Sequence, residues 1–283
     1  MIRVGPSGWT HPRLADVWPI RRGPTFDPLA FLAGHFGCVE VDITAHAVPR
    51  PQHVTRWKAA LAEAPERTRL LVKLPLALGE LARPVEERRQ TLEATAAAVQ
   101  PLLGRDRLGA LVLTLGDGVL HGAAETRWIS GVARAFSGAP LVLEASHPSW
   151  YESRALDAVG GAGWSLAHVE PPDRWDAPPR RHRPTGPIGM LRLLAPGQAP
   201  PPVIGALARR ARALQEHVRE VFVVTAGPID PTAASMRLVS ALELRYVLAG
   251  ERPVPAWSEL VAAHPHLARL TTTDPALPDE PAI

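Results

Sequence analysis

The sequence predicts an α/β fold: a single (β/α)8 barrel of the TIM type with a C-terminal helical extension. Two observations carry this. Eight short apolar runs, each bounded by turn residues, recur along the chain. Stretches with helical periodicity and recognisable starts separate most of them. A β-then-α alternation repeated eight times is the pattern of this barrel, whereas a doubly wound open sheet, the structural alternative, has no reason to stop at eight. The length of 283 residues allows one large domain or two smaller ones. The repeat favours one, over residues 1–250, with a helix and loose tail over 251–283.

The first run is 2–5, and Asp27-Pro28 then reads as a helix cap followed by proline at the first helical position. The second run, 38–43, leads to a short helical stretch at 54–62. After the third run, 70–74, Pro84 opens a helix over 85–103 in which Val85, Leu92, Ala96 and Val99 fall at helical spacing. The fourth and fifth runs, 110–115 and 140–145, flank a helical stretch at 128–136. The sixth run is 164–169, and the connection after it breaks the pattern. Residues 171–187 carry six prolines and no helical period, which marks a functional or disordered loop. The seventh run, 188–194, precedes a helix over 203–218, and the eighth, 221–225, precedes Asp230-Pro231 and a helix over 232–248. Residues 251–270 read as an extra helix and 271–283 as a tail rich in Pro and Asp. The runs are mostly Val, Leu and Ile rather than alternating, as in strands buried on both faces of a parallel sheet.

Composition removes several function classes. Hydrophobic residues make up 46% of the chain, yet no run approaches the roughly 20 apolar residues of a membrane span. The start, Met1 to Trp9, enters a strand directly without the apolar stretch of a signal peptide, so a cytoplasmic location is expected. The single cysteine, Cys38, excludes an internal disulfide framework and a Cys-rich zinc site, and it reads as a small hydrophobe at the start of a buried strand. The net charge is only +3, and Lys58 and Lys73 are the only two lysines. Arginines are dispersed apart from Arg180, Arg181 and Arg183, so nucleic acid is not the expected partner. A nucleic-acid-associated protein using the Arg-rich loop 171–187, with Arg174 and Trp175, remains an alternative.

The charges that interrupt the apolar runs are more informative. In such barrels the active site lies at the C-terminal strand ends. Those ends carry Glu40 and Asp42, which the two-residue period places on one face, then Lys73, Glu144 with His147, His168 with Glu170, and Arg192. A charge buried in a parallel strand is costly unless paired, so these groups are expected to neutralise one another around the mouth. They point to an enzyme of the hydrolase or isomerase class acting on a small polar or anionic ligand. Lys73 and Arg192 would bind the anion, Glu40 or Glu144 would act as general acid or base, and His147 would assist. Ser7 and Trp9 after the first strand, Asp42, and Trp150 after the fifth complete the ligand-binding set. The alternative is a catalytically inactive binding or partner protein that keeps the charge cluster as structure. Glu40, Asp42, Glu144 and His147 are ligand types for a divalent ion, but Lys73 and Arg192 would repel it. His11, His35, His46 and His53 read as surface or packing residues. No P-loop, G-x-S-x-G elbow or H-E-x-x-H occurs, and the sequence names no cofactor and no oligomeric state.

The same segments resemble the YecE-like family, domain of unknown function seventy-two, over roughly residues 2–248. Its opening motif is matched by Gly5-Pro6-Ser7-Gly8-Trp9-Thr10-His11-Pro12, with His11 in place of an aromatic residue. Its second-strand motif appears as Glu40-Val41-Asp42-Ile43-Thr44-Ala45-His46, where Asp42 replaces an asparagine and an aromatic pair is lost. Lys73-Leu74-Pro75 matches at the third strand, and Glu144-Ala145-Ser146-His147-Pro148-Ser149-Trp150 at the fifth, with Ser146 replacing an arginine. Arg192 survives from the seventh-strand motif, without its His and Gly, and Thr225-Ala226-Gly227 replaces Phe-Asn-Asn after the eighth. The resemblance is to a divergent member, and it implies a TIM-barrel fold with these residues at its mouth.

Overall fold

Short runs of Val, Leu and Ile with no polar face form strands here, and the proline- and cap-led stretches between them form helices. In chain order the elements are β1 (Ile2–Pro6), α1 (Pro28–His35), β2 (Cys38–Val41), α2 (Pro51–Glu63), β3 (Arg69–Lys73), α3 (Val85–Val99), β4 (Leu108–Thr114) and α4 (Ala123–Ala135). There follow β5 (Leu141–Glu144), α5 (Ser153–Gly161), β6 (Trp164–Leu166), β7 (His168–Glu170), β8 (Ile188–Leu194), α6 (Pro201–Gln215), β9 (Glu220–Ala226) and α7 (Met236–Ala249). The computed structural model describes residues 1–9, 26–65, 68–104, 106–170, 183–194, 199–226 and 236–250. His11, Asp230-Pro231, the predicted helix at 251–270 and the tail at 271–283 lie outside the described residues.

All eight apolar runs contain strand, and the sixth is split in two at Ala167. The cap at Asp27 forms as expected: its carboxylate accepts from Leu29 N at 2.8 Å and Ala30 N at 3.2 Å. Helix α2 starts at Pro51, three residues ahead of the expected start, because its first turn is polar and proline needs no hydrogen bond there. Helix α3 starts at Val85 as expected, with Pro84 as its cap, and ends at Val99. Helix α5 has no counterpart among the predicted elements. Its apolar stripe is only Ala155, Leu156 and Val159, and it ends in two glycines, which hides so short a period.

The strands are parallel and form a five-stranded sheet, β2-β3-β4-β5-β6, and a four-stranded sheet, β1-β9-β8-β7. Hydrogen bonds link the sheets at both edges. At one, Ala167 N donates to Leu143 O at 2.8 Å while the next residue, His168, pairs with Leu191. At the other, Ser7 bridges Glu40 in parallel and Gly8 N donates to Glu40 O at 2.9 Å. Glycine is needed at this second edge, since a Cβ on Gly5 would lie 1.7 Å from Cys38 O.

Two apolar clusters explain why the strands do not alternate in polarity. Val39, Val41, Leu70, Val72, Leu111, Leu113 and Leu143 pack with the helices, against residues such as Trp57, Ile129 and Leu207. The intervening positions form a second cluster of Cys38, Leu71, Ala110, Val112, Val142, Ala167, Ile188, Met190, Phe222 and Val224. It draws on both sheets and on no helix. Each strand is therefore buried on both faces, and each large side chain so buried contributes about 1.5–3 kcal/mol.

Candidate functional site

The helix-free cluster fixes a phase along each strand, and two residues further toward the C-terminal ends that phase turns polar. From Cys38, Leu71, Val112, Val142 and Met190 it leads to Glu40, Lys73, Thr114, Glu144 and Arg192. Arg192 sits at the centre. Its Nη1 donates to Glu40 Oε2 at 3.0 Å, its Nη2 to Glu40 Oε1, and its Nε to Glu144 Oε1. Ser7 Oγ donates to Glu40 Oε2 at 2.5 Å, and Thr114 Oγ1 to Glu144 Oε2 at 2.8 Å. Lys73 Nζ lies 3.6 Å from the same Glu144 oxygen. A chain of contacts thus runs Ser7–Glu40–Arg192–Glu144–Lys73 through five strands or their immediate ends. Its members differ in access: the Glu40 side chain is 0% exposed, Arg192 3% and Glu144 5%, whereas Lys73 keeps 18%.

The charges set one another's ionisation. Burial alone would push the Glu144 carboxyl up, but the charges of Arg192 and then Lys73, with hydrogen bonds from Arg192 and Thr114, hold it below its ordinary range. Burial would likewise lower the Arg192 pKa, and the two glutamates outweigh it and raise it. One layer down, burial first and Glu40 second push the Cys38 thiol well above its usual range, which leaves it a neutral hydrophobe. Glu40 and Glu144 are both bound by the one guanidinium, the bidentate arrangement in which a buried ion pair is geometrically sound.

The remaining predicted residues divide. Trp9 is half-buried against the larger cluster. Asp42 follows the last residue of β2, Val41, and leads into a 3-10 turn at φ −98°, ψ −23°. Its carboxylate lies over Gly8, where a Cβ would fall 1.9 Å from Oδ2. Gly8 has φ +73°, so the opening motif needs glycine there for its turn as well as for space. His147 caps the turn Pro148–Tyr151: its Nδ1 accepts from Ser149 N at 3.2 Å and lies 2.9 Å from Ser149 Oγ. That backbone donor assigns the proton of the neutral ring to Nε2. Trp150 corrects the expectation of a ligand wall. It is 0% exposed and its Nε1 donates to Val119 O at 2.8 Å, so its indole belongs to the core. His168 faces α6, where Arg210 lies 3.3 Å from its Nδ1.

Two participants were not singled out from the sequence. Thr114 ends a purely apolar strand, and its signal is only that it is in phase with Val112 and Ala110. Thr44 donates to the backbone oxygen of Lys73 at 2.5 Å and ties the β2 and β3 ends together. Of the Arg-rich loop, Arg174, Arg180 and Arg181 lie outside the described residues, and Arg183 pairs with Asp157 on α5.

The family described as protein of unknown function DUF72 matches residues 3–258. The chain belongs to the DUF72 family. A curated relative, UPF0759 protein YecE of Escherichia coli K12, is 41% identical over 58 residues, and that match spans 20% of this chain and 19% of the relative. A solved DUF72 family structure from Enterococcus faecalis V583 superposes with a TM-score of 0.71 at 17% identity, covering 88% of this chain and 96% of that one. Another, from Thermotoga maritima MSB8, gives 0.67 at 16% identity over 88% and 99%. These likenesses establish the DUF72 α/β fold with parallel sheets. No helix among the described residues is long and apolar enough to cross a membrane.

Proposed function

We propose that the two sheets close into one (β/α)8 barrel, and that the polar layer at its C-terminal end is the site of an enzyme acting on a small polar or anionic molecule. Closure is supported by the bonds at both sheet edges and by the helix-free cluster, which both sheets line. With β6 and β7 as one strand broken at Ala167, the strands number eight. The observation that carries the functional reading is the position of Lys73: it is the accessible end of a network whose other charges are sealed.

In this reading the roles divide as follows. Both oxygens of Glu40 are committed to Arg192, and Ser7 adds to one of them, so these groups form the framework. Glu144 stays ionised and holds the Lys73 ammonium in place. Lys73 is the group that meets negative charge on a ligand or developing on a reacting oxygen, as hydrolysis and isomerisation of carbonyl compounds require. His147, with its proton on Nε2, is assigned the part of an assisting proton donor from the loop after β5. We infer a cytoplasmic setting from the lone buried thiol.

The test is calorimetric titration of the full chain with a panel of small neutral carbonyl compounds, carboxylates and phosphomonoesters, repeated with Lys73→Ala. A ligand that binds the native chain and weakens about tenfold or more in Lys73→Ala supports the site. A panel in which every binder is indifferent to Lys73 overturns it. That outcome favours the second reading, a structural ion plug without chemistry, for which the complete burial of Glu40 speaks.

A further inference from the structure

The N-terminal ends of the same strands hold a second polar group that the proposed site does not use. A cavity of about 470 Å³ is lined there by Arg3, Arg69, Asp106, Gly109, Arg219 and Glu220, among others. Arg69 and Glu220 lie two residues before Leu71 and Phe222, in phase with the helix-free cluster, and Arg3 is two before Gly5. The space exists because β4 enters on glycine. A Cβ at Gly109 would lie 2.8 Å from Phe222 Cζ and 3.0 Å from Arg69 Cβ, so no side chain fills this end.

Arg3 is the telling residue. It is only 5% exposed, its Nε is taken by Glu220, and among the described residues nothing accepts from its two terminal nitrogens, although it lines the cavity. These are the planar paired donors that grip a carboxylate or phosphate. Arg69 stands close by: burial first, then the charge of Arg3, lowers its pKa, as for two like charges sharing one space. Among the described residues the cavity lining holds the guanidiniums of Arg3, Arg69 and Arg219 and the carboxylates of Asp106 and Glu220. The apolar cluster from Cys38 to Val224 separates this end from Glu40 and Lys73.

We propose that the N-terminal cavity binds a small oxyanion, a phosphate or carboxylate group, on Arg3 and Arg69, with Arg219 at the rim. The site is independent of the one at the opposite strand ends. The full chain is titrated calorimetrically with inorganic phosphate and, separately, with citrate, against sodium chloride of matched ionic strength. The expected result is a saturable isotherm for at least one of them, and which one identifies the source of the oxyanion group. Affinity should be unchanged in Lys73→Ala, lower by about tenfold or more in Arg69→Gln, and abolished in the charge-balanced pair Arg3→Gln/Glu220→Gln. Should that pair fail to fold, Arg69→Gln decides. No saturable heat above the chloride blank, undiminished binding in Arg69→Gln, or loss of binding in Lys73→Ala each overturns the proposal.

Discussion

Replacing Arg192 with methionine is the most searching perturbation of the polar layer, because one buried guanidinium serves two buried carboxylates. In Arg192→Met the Glu40 carboxylate, 0% exposed, keeps among the described residues only the Ser7 hydroxyl, while Glu144 keeps Thr114 and Lys73. Removing one partner of a buried pair costs about 3–5 kcal/mol, and the second glutamate places this variant toward the upper end. For a domain of this size that amounts to roughly 10–15 °C in Tm. Urea unfolding followed by far-UV circular dichroism measures it. Lys73→Ala, which removes a partly accessible ammonium at 3.6 Å, should cost no more than about 1 kcal/mol. Adding Glu40→Gln to Arg192→Met should recover about 1–3 kcal/mol, since the uncompensated charge goes with its partner. A loss below about 1 kcal/mol for Arg192→Met, or a loss for Lys73→Ala equal to it, would refute the division into sealed framework and accessible lysine.

Acid should act through Glu144. Its folded carboxyl is held below the ordinary value of 4.5, so its contribution is complete above that pH and is lost as pH falls toward the folded pKa, where the unfolded chain takes up the proton first. Urea midpoints measured across that range should fall less steeply with acid in Glu144→Gln than in the native chain, and identical slopes would remove Glu144 from the acid response. Gly8→Ala forces a side chain into φ +73° with its Cβ 1.9 Å from Asp42 Oδ2, so a cost of about 1–3 kcal/mol or more is expected in thermal unfolding. An unchanged Tm would contradict the close seam between β1 and β2.

The strands were legible in the sequence because burial on both faces leaves Val, Leu and Ile runs that nothing else in the chain imitates. The charged layer was legible for the complementary reason. Glu40, Lys73, Glu144 and Arg192 each interrupt such a run near its end, and a buried charge implies a partner. What stayed hidden depends on local backbone geometry. The two-residue period does not detect that the strand ends at Val41, nor that the Asp42 carboxylate comes to lie over Gly8. Trp150 looked like a site aromatic because it comes after Glu144 and His147. The turn after His147 instead folds it inward, where its indole finds the Val119 oxygen. Thr114 was hidden because a threonine at a strand end is ordinary until the neighbouring register shows it opposite Glu144.

The two polar ends of the strand layer differ in charge balance, and that difference argues for different uses. Glu40 and Glu144 against Arg192 and Lys73 form a neutral set, so a permanent anion arriving at the C-terminal end would have to share Lys73 with Glu144. A neutral polar molecule would meet no such competition at rest. Its oxygen would accept a hydrogen bond from Lys73 on binding, and that bond would strengthen as negative charge developed there, the kind of interaction that accelerates a reaction. Among the described residues at the N-terminal end three arginines and two carboxylates line the cavity, and the terminal nitrogens of Arg3 stand ready for an anion in the ground state. On the two proposals, one end of the strand layer suits turnover and the other suits the holding of an oxyanion.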